Sequence, residues 1–223
     1  PGTFLETVKD IMEKTGMNHY VFTRYYPGTD NTERIILFTE QEVVNKGSLT
    51  DPHTRRYAVY ADIVHQKDTL RIINTHLQSI YLKEEDQLGL ADFSGRNASQ
   101  EVIRNKSAKM YDKLTKAFRK RAVQTDSLTQ FIQHSPHKVI LCGDFNDTPA
   151  SYSYHAISEH LTDGFKASGE GISTSFNGKY PGLRIDYIFY DKDLRSIKYK
   201  THRSIEFSDH FPVSTIITSH KKE

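Results

Sequence analysis

Val139-Ile140-Leu141-Cys142-Gly143-Asp144-Phe145-Asn146-Asp147 is the stretch that decides how this chain is read. Four consecutive apolar residues, too few for a helix and bounded by a glycine, predict a short strand buried on both faces, the kind found inside α/β sheets. The residues that follow are polar and turn-forming. Working outward, Met110, Leu114, Phe118, Ala122, Leu128 and Ile132 recur near the helical period, which predicts a helix over about 109–134 ended by Pro136. Residues 18–25, 34–39, 56–65, 69–77, 184–190 and 212–217 read as strands, with Gln66-Lys67-Asp68 as a tight turn and residues 27–31 as a longer one. Near the start, Thr3 and Glu6 stand at capping-box spacing ahead of Leu5, Val8, Ile11 and Met12, and Gly16 stops that helix. Strands interleaved with helices imply an α/β fold. No composition shift marks a linker, so residues 1–223 read as one domain, with the polar stretch 78–108 as an inserted loop.

With 223 residues and 25.7 kDa, the chain can bury a sizeable core without staples. Its single cysteine, Cys142, excludes an internal disulfide framework and a cysteine-rich zinc site. No apolar run is long enough to cross a membrane. The net charge of +2 hides an asymmetry. Between Glu101 and Ala122 stand eight basic residues (Arg104, Lys106, Lys109, Lys113, Lys116, Arg119, Lys120 and Arg121) against two acidic ones. That segment is either a phosphate-seeking surface or a solvated helix face. The pairs His134/His137 and His155/His160 lack the spacing that puts two ligands on one helical face. Tyr152 and Tyr154 could stack on a base or a lipid headgroup, but packing on a nearby helix is the simpler reading. Asn97, Asn105 and Asn146 head glycosylation-type tripeptides, a pattern too cheap to carry weight.

Four segments place a polar or ionisable group at the end of an apolar strand, where α/β folds gather ligand sites. They are Asn74-Thr75-His76-Leu77, then Gly143-Asp144-Phe145-Asn146-Asp147, then Arg184-Ile185-Asp186-Tyr187-Ile188-Phe189, and finally Ser208-Asp209-His210-Phe211-Pro212-Val213. Asp186 is the hardest to explain by structure alone. It shares a strand face with Ile188, and a carboxylate in an apolar run demands a partner. The set offers two histidines, three strand-end aspartates and an asparagine, with no serine or cysteine nucleophile motif. Hard oxygen donors without thiolates suit Mg²⁺, Mn²⁺ or Ca²⁺ better than zinc. Imidazole plus carboxylate can orient and activate a water, which fits hydrolysis of a phosphate ester.

Taken in order, these motifs resemble the endonuclease/exonuclease/phosphatase superfamily, whose members include deoxyribonuclease I, exonuclease III, neutral sphingomyelinases and inositol-polyphosphate 5-phosphatases. The resemblance implies a four-layer α/β sandwich of two mixed sheets face to face with helices outside. It implies a divalent-metal-dependent phosphoesterase, most simply Mg²⁺-dependent, acting on nucleic acid, a phospholipid headgroup or an inositol or nucleotide phosphate. No partner protein is inferred. By the same resemblance His210 is the general base or phosphoryl-oxygen donor, Asp186 its orienting carboxylate, and Asp209 a metal ligand. Asp144 and Asn146 position the attacking water and the phosphate, with a second metal in reach. His76 lies on the phosphate or leaving-group side. The family pattern also carries two strands ahead of the point matched by Pro1, the second ending in Leu-Gln-Glu, and no glutamate here is placed to replace that metal ligand. The chain is therefore expected to be the C-terminal portion of a longer protein, with a membrane anchor upstream left open and the compartment unassigned. The alternative is a catalytically degenerate member that binds phosphate or a partner on the same fold.

Overall fold

The structure, a computed structural model, describes residues 3–23, 35–51, 56–80, 100–178 and 182–219. The expected turn at 27–31 and most of the expected loop at 78–108 lie outside these residues.

The chain opens on α1 (Phe4–Thr15), capped as its sequence predicts. The Thr3 hydroxyl accepts from the Glu6 amide, the Glu6 carboxylate accepts from the Thr3 amide, and Gly16 closes the helix at φ 72°. β1 (His19–Phe22) and β2 (Ile36–Thr39) form an antiparallel ribbon. β3 (Val43–Thr50), β4 (Arg56–His65) and β5 (Asp68–His76) form a meander, the last pair joined by the turn at Gln66. The long helix α2 (Gln100–Gln133) crosses to β6 (Lys138–Asp144), which lies parallel to β5. Then come α3 (Tyr152–Ser158), β7 (Leu161–Asp163), α4 (Gly164–Ser168), β8 (Asp186–Asp191), β9 (Leu194–Thr201) and β10 (Val213–Ser219).

Six strands make one mixed sheet in the order β3-β4-β5-β6-β8-β7. One face packs α2 and α3 through Ile73, Leu128, Ile132, Leu141, Tyr154, Ile157 and Phe189, where Phe145, Tyr187 and Phe189 stack at 4.7–5.7 Å between centroids. Each such side chain removed from water contributes roughly 1.5–3 kcal/mol. The opposite face carries Val59, Ala61 and Ile63, which meet Val21, Ile35 and Leu37 from the β1–β2 ribbon. Asn74 in β5 locks the two layers, its Nδ2 donating to the Ile36 carbonyl at 2.8 Å. α1 lies outside that ribbon, with Phe4 against Phe22. The architecture is thus the four-layer α/β sandwich, with the second layer built from two separate antiparallel ribbons, β1–β2 and β9–β10.

Three local expectations need correcting. The helix starts at Gln100, so residues 100–108 of the expected loop are helical. Its buried stripe is Ala117, Arg121, Gln124, Thr125, Leu128 and Ile132, while Phe118 is 48% exposed. Polar side chains displaced the apolar register because they have buried partners: Thr125 Oγ1 bonds Ser153 at 3.0 Å, and Arg121 pairs with Asp147. Third, β3, β7, β9 and α3 have no strong period of their own. β4 and β5 hold a further buried pair the sequence did not signal: Arg71 grips Asp62 with two bonds of 2.7 and 2.8 Å, Asn45 adds a third, and the guanidinium lies over Tyr60 and Phe131.

Gly143 is where β6 comes nearest its neighbour. At φ 141° a Cβ there would sit 1.9 Å from the Thr75 carbonyl oxygen, a backbone atom that cannot move without opening the ladder. Gly143→Ala is therefore expected to cost about 3 kcal/mol or more in urea denaturation. Gly171→Ala, at φ 69° with open space around it, is expected to cost only about 1–2 kcal/mol. Equal losses at the two positions would mean the close approach at Thr75 is not what selects glycine.

Candidate active site

Strand register builds the centre of the site. His76 is opposite Asp144 across the parallel β5–β6 pair, and Asp144 is opposite Asp186 across the antiparallel β6–β8 pair. Alternation puts all three on the sheet face shared with Asn74, Cys142 and Ile188, at the point where the ladders end. His76 Nε2 stands 3.6 Å from Asp144 Oδ2. His210 reaches the same row from the segment before β10, with Nδ1 2.8 Å from Asp186 Oδ2.

Each carboxylate is held from behind. Asp144 accepts from the Asn146 amide at 2.7 Å and from Asn146 Nδ2 at 2.9 Å. Asn146 sits at φ 51°, a left-handed conformation that asparagine tolerates, and its Nδ2 also donates to the Leu77 carbonyl at 3.1 Å. That leaves Oδ1 as the amide's remaining acceptor. Behind Asp186, the buried Ser175 hydroxyl accepts from the amides of Ile185 and Asp186, each at 3.0 Å. The Ser175 carbonyl accepts from the Phe211 amide at 2.7 Å, and Phe176 bridges to His210 and meets its ring edge-on at 5.4 Å. Ser175 thereby ties the strand that carries Asp186 to the segment that carries His210.

Burial, and after it the neighbouring Asp186 charge, push the Asp144 carboxyl up to about 6. The His210 imidazole is pushed up to about 8, chiefly by its bond to Asp186 against the opposing effect of burial. Two carboxylates opposite one another repel, and the site meets that repulsion with two histidines.

The structure brings His76, Asp144, Asn146, Asp186 and His210 together. It leaves Asp209 at the edge: its side chain is exposed, and its Oδ1 accepts from Ser208 at 3.2 Å. Among the described residues, the group whose ligand atoms all lie within 4.8 Å of one another is Asp144, Asp186 and His210. Two hard carboxylates facing each other across a strand pair are a donor set that fits a divalent cation. Asp209, expected as a metal ligand, lies outside this group. Sequence reasoning also missed Ser175, for which no local signal exists, and Arg121, which it counted with the basic helix face. The 121/125/128/132 spacing on α2 would have placed Arg121 inside. Of the two tyrosines read as packing residues, Tyr154 is buried and Tyr152 is 58% exposed, with its hydroxyl on Asp126.

Comparison with known proteins agrees with this fold. No curated protein sequence matches the chain. Among solved structures, the mannosyl-6-phosphatase Bt3783 of Bacteroides thetaiotaomicron aligns at TM-score 0.57 and 19% identity, over 96% of this chain and 82% of that one. The endonuclease/exonuclease/phosphatase of Bacteroides vulgatus aligns at 0.63 and 16%, over 96% and 81%. The human Nocturnin catalytic domain, solved with a bound sulfate anion, aligns at 0.54 and 16%, over 96% and 77%. At these identities the likeness establishes the fold. Residues 23–210 match the profile of the Endonuclease/Exonuclease/phosphatase family, a span that includes every residue of the row just described, and the chain belongs to that family.

Proposed function

We propose that this protein is a divalent-metal-dependent phosphoesterase that cleaves a P–O bond by in-line attack of water. The observation that carries the reading is the row His76–Asp144–Asp186 with His210 hydrogen-bonded to its end. Family membership and a fold shared with a phosphatase support it.

Each residue has a role that its surroundings allow. Asp186 accepts from His210 Nδ1, which leaves Nε2 as the free nitrogen. With the imidazole pushed up to about 8, Nε2–H is a donor at neutral pH, suited to a phosphoryl oxygen as charge builds in the transition state. Asp144 is mostly ionised at pH 7, its carboxyl being pushed up to about 6, so it can accept a hydrogen bond from the attacking water and orient it. Asn146 fixes the Asp144 carboxylate through two hydrogen bonds. His76, 40% exposed beside Asp144, is placed to bind the phosphate. The Asp144 and Asp186 carboxylates would hold the cation, most simply Mg²⁺ with Mn²⁺ or Ca²⁺ as alternatives. Bound there, it supplies charge neutralisation for the phosphate and for the leaving oxygen. The substrate class is a phosphate ester: nucleic acid, a phospholipid headgroup or a small phosphorylated molecule.

Turnover of bis-(p-nitrophenyl) phosphate and p-nitrophenyl phosphate, with Mg²⁺ or Mn²⁺ and with EDTA, tests the reading. Metal-dependent hydrolysis is expected, with His210→Ala about 10²-fold or more slower and Asp186→Asn also impaired. Absence of hydrolysis of either ester, or of single-stranded or duplex DNA, with any of the metals would favour the degenerate, phosphate-binding reading.

The dyad itself can be checked without catalysis. In EDTA-treated protein the His210 ring resonances are expected to titrate near 8. A partner that favours the charged form raises the imidazole pKa, so Asp186→Asn must move the midpoint down, toward the ordinary value of about 6.5. A midpoint unmoved by the substitution would sink the pairing.

A further inference from the structure

His76 is the last residue of β5 and Asp144 the last of β6, so the ladder stops fixing the chain where the site begins. Leu77–Gln78 and Phe145–Asp147 lie beyond it and need other anchors. Leu77 is held from the loop side: its amide donates to the Asp144 carbonyl at 2.9 Å and its carbonyl accepts from Asn146. Gln78 is held from the helix side. Its amide donates to Gln124 Oε1 at 2.8 Å, and its carbonyl accepts from Arg121 Nη1 at 2.8 Å. The same guanidinium turns Nε to Asp147 Oδ2 at 3.0 Å. Arg121 is 1% exposed, its guanidinium lies 4.8 Å from the Phe118 ring centre, and among the described residues its Nη2 is buried without a protein partner. One fork therefore joins two segments that are far apart in sequence, the one after His76 and the one that contains Asn146.

We infer that Arg121 is a positioning residue: by clamping the Gln78 carbonyl and the Asp147 carboxylate together from α2, it holds the Asn146–Asp147 loop against the segment that follows His76, one step beyond the register pair His76–Asp144. A buried ion pair is a poor device for stability, since an apolar pair of equal volume often does as well. What a planar fork supplies, and a lysine does not, is two bonds at a fixed angle. A displacement of about 1 Å between reacting groups can cost about 10²-fold in rate. The inference rests on the phosphoesterase reading above, and the test separates the two.

Wild type, Arg121→Lys, Arg121→Met, Asp147→Asn and the double variant Arg121→Met/Asp147→Asn are assayed on bis-(p-nitrophenyl) phosphate with saturating Mg²⁺ or Mn²⁺. Amide exchange is followed in the same five proteins without substrate. The double variant removes both charges at once, so it keeps the test open if Arg121→Met alone folds poorly. The expected result is a fall in kcat of about 10²-fold in the folded Arg121 variants with KM little changed, lysine included. The double variant should lose no more than the worse single variant, because both act through one contact. Exchange at Gln78 and Asn146 should accelerate about tenfold or more while Ile73 and Leu141 stay protected. Wild-type kcat in folded Arg121→Met, additive losses, or unchanged exchange at Gln78 would each overturn the clamp. A wild type without turnover on any phosphate ester overturns the phosphoesterase reading instead, and exchange at Gln78 and Asn146 then decides the clamp alone.

Discussion

Asp144 and Asp186 face each other across β6 and β8, and two like charges in that relation repel. The structure holds them there. Asn146 spends its amide and its side chain on one, Ser175 braces the backbone of the other, and a histidine flanks each. The outcome is a carboxyl pushed up to about 6 beside an imidazole pushed up to about 8. A core without function would have no use for this arrangement, which costs stability at the place where a phosphate and a cation would release it.

The larger of the two apolar clusters lies on the other face of the same strands. Phe145, between Asp144 and Asn146, points into the stack with Tyr187 and Phe189, so the loop that presents the polar row is also pinned by it. Its amide donates to the Ile185 carbonyl at 2.8 Å, which fastens β6 to the residue before Asp186. Nearby, Arg184 pairs with Asp163 through bonds of 3.2 and 2.5 Å, and the Tyr154 hydroxyl donates to the same carboxylate. The Tyr187 hydroxyl donates to the carbonyls of Arg184 and Asp147. Close packing and a network of buried hydrogen bonds thus surround a site whose own charges are set against each other.

Much of this was legible in the chain. The helix caps at Thr3 and Gly16, the buried strand at 139–142 and the order of the four strand-end motifs depend on local chemistry: a capping spacing, an apolar run, a polar residue after it. Asp186 was legible for a physical reason, since a carboxylate on a face with Ile188 needs a partner, and His210 is that partner. Other features had no local trace. Strands β3, β7 and β9 are held by neighbours rather than by their own period, and Ser175 looks like any loop serine until its hydroxyl is seen under two amides.

By itself, then, the sequence determined which residue types end which strands, and so the chemistry available: hard carboxylates, imidazoles and an amide, without a thiolate or a serine nucleophile motif. It could not determine register. Whether Asp144 sits opposite Asp186 or one residue away depends on pairing between strands far apart in the chain, and a slip of one would send the carboxylate to the helix face. Tertiary structure decided that, in part through a glycine whose missing Cβ lets β6 reach Thr75. It also decided that Asp209 turns out while His210 turns in, and that Arg121 leaves the basic face of α2 for the interior. The direction a side chain takes just before a strand, and the burial of one helical stripe, exist only once the elements have packed.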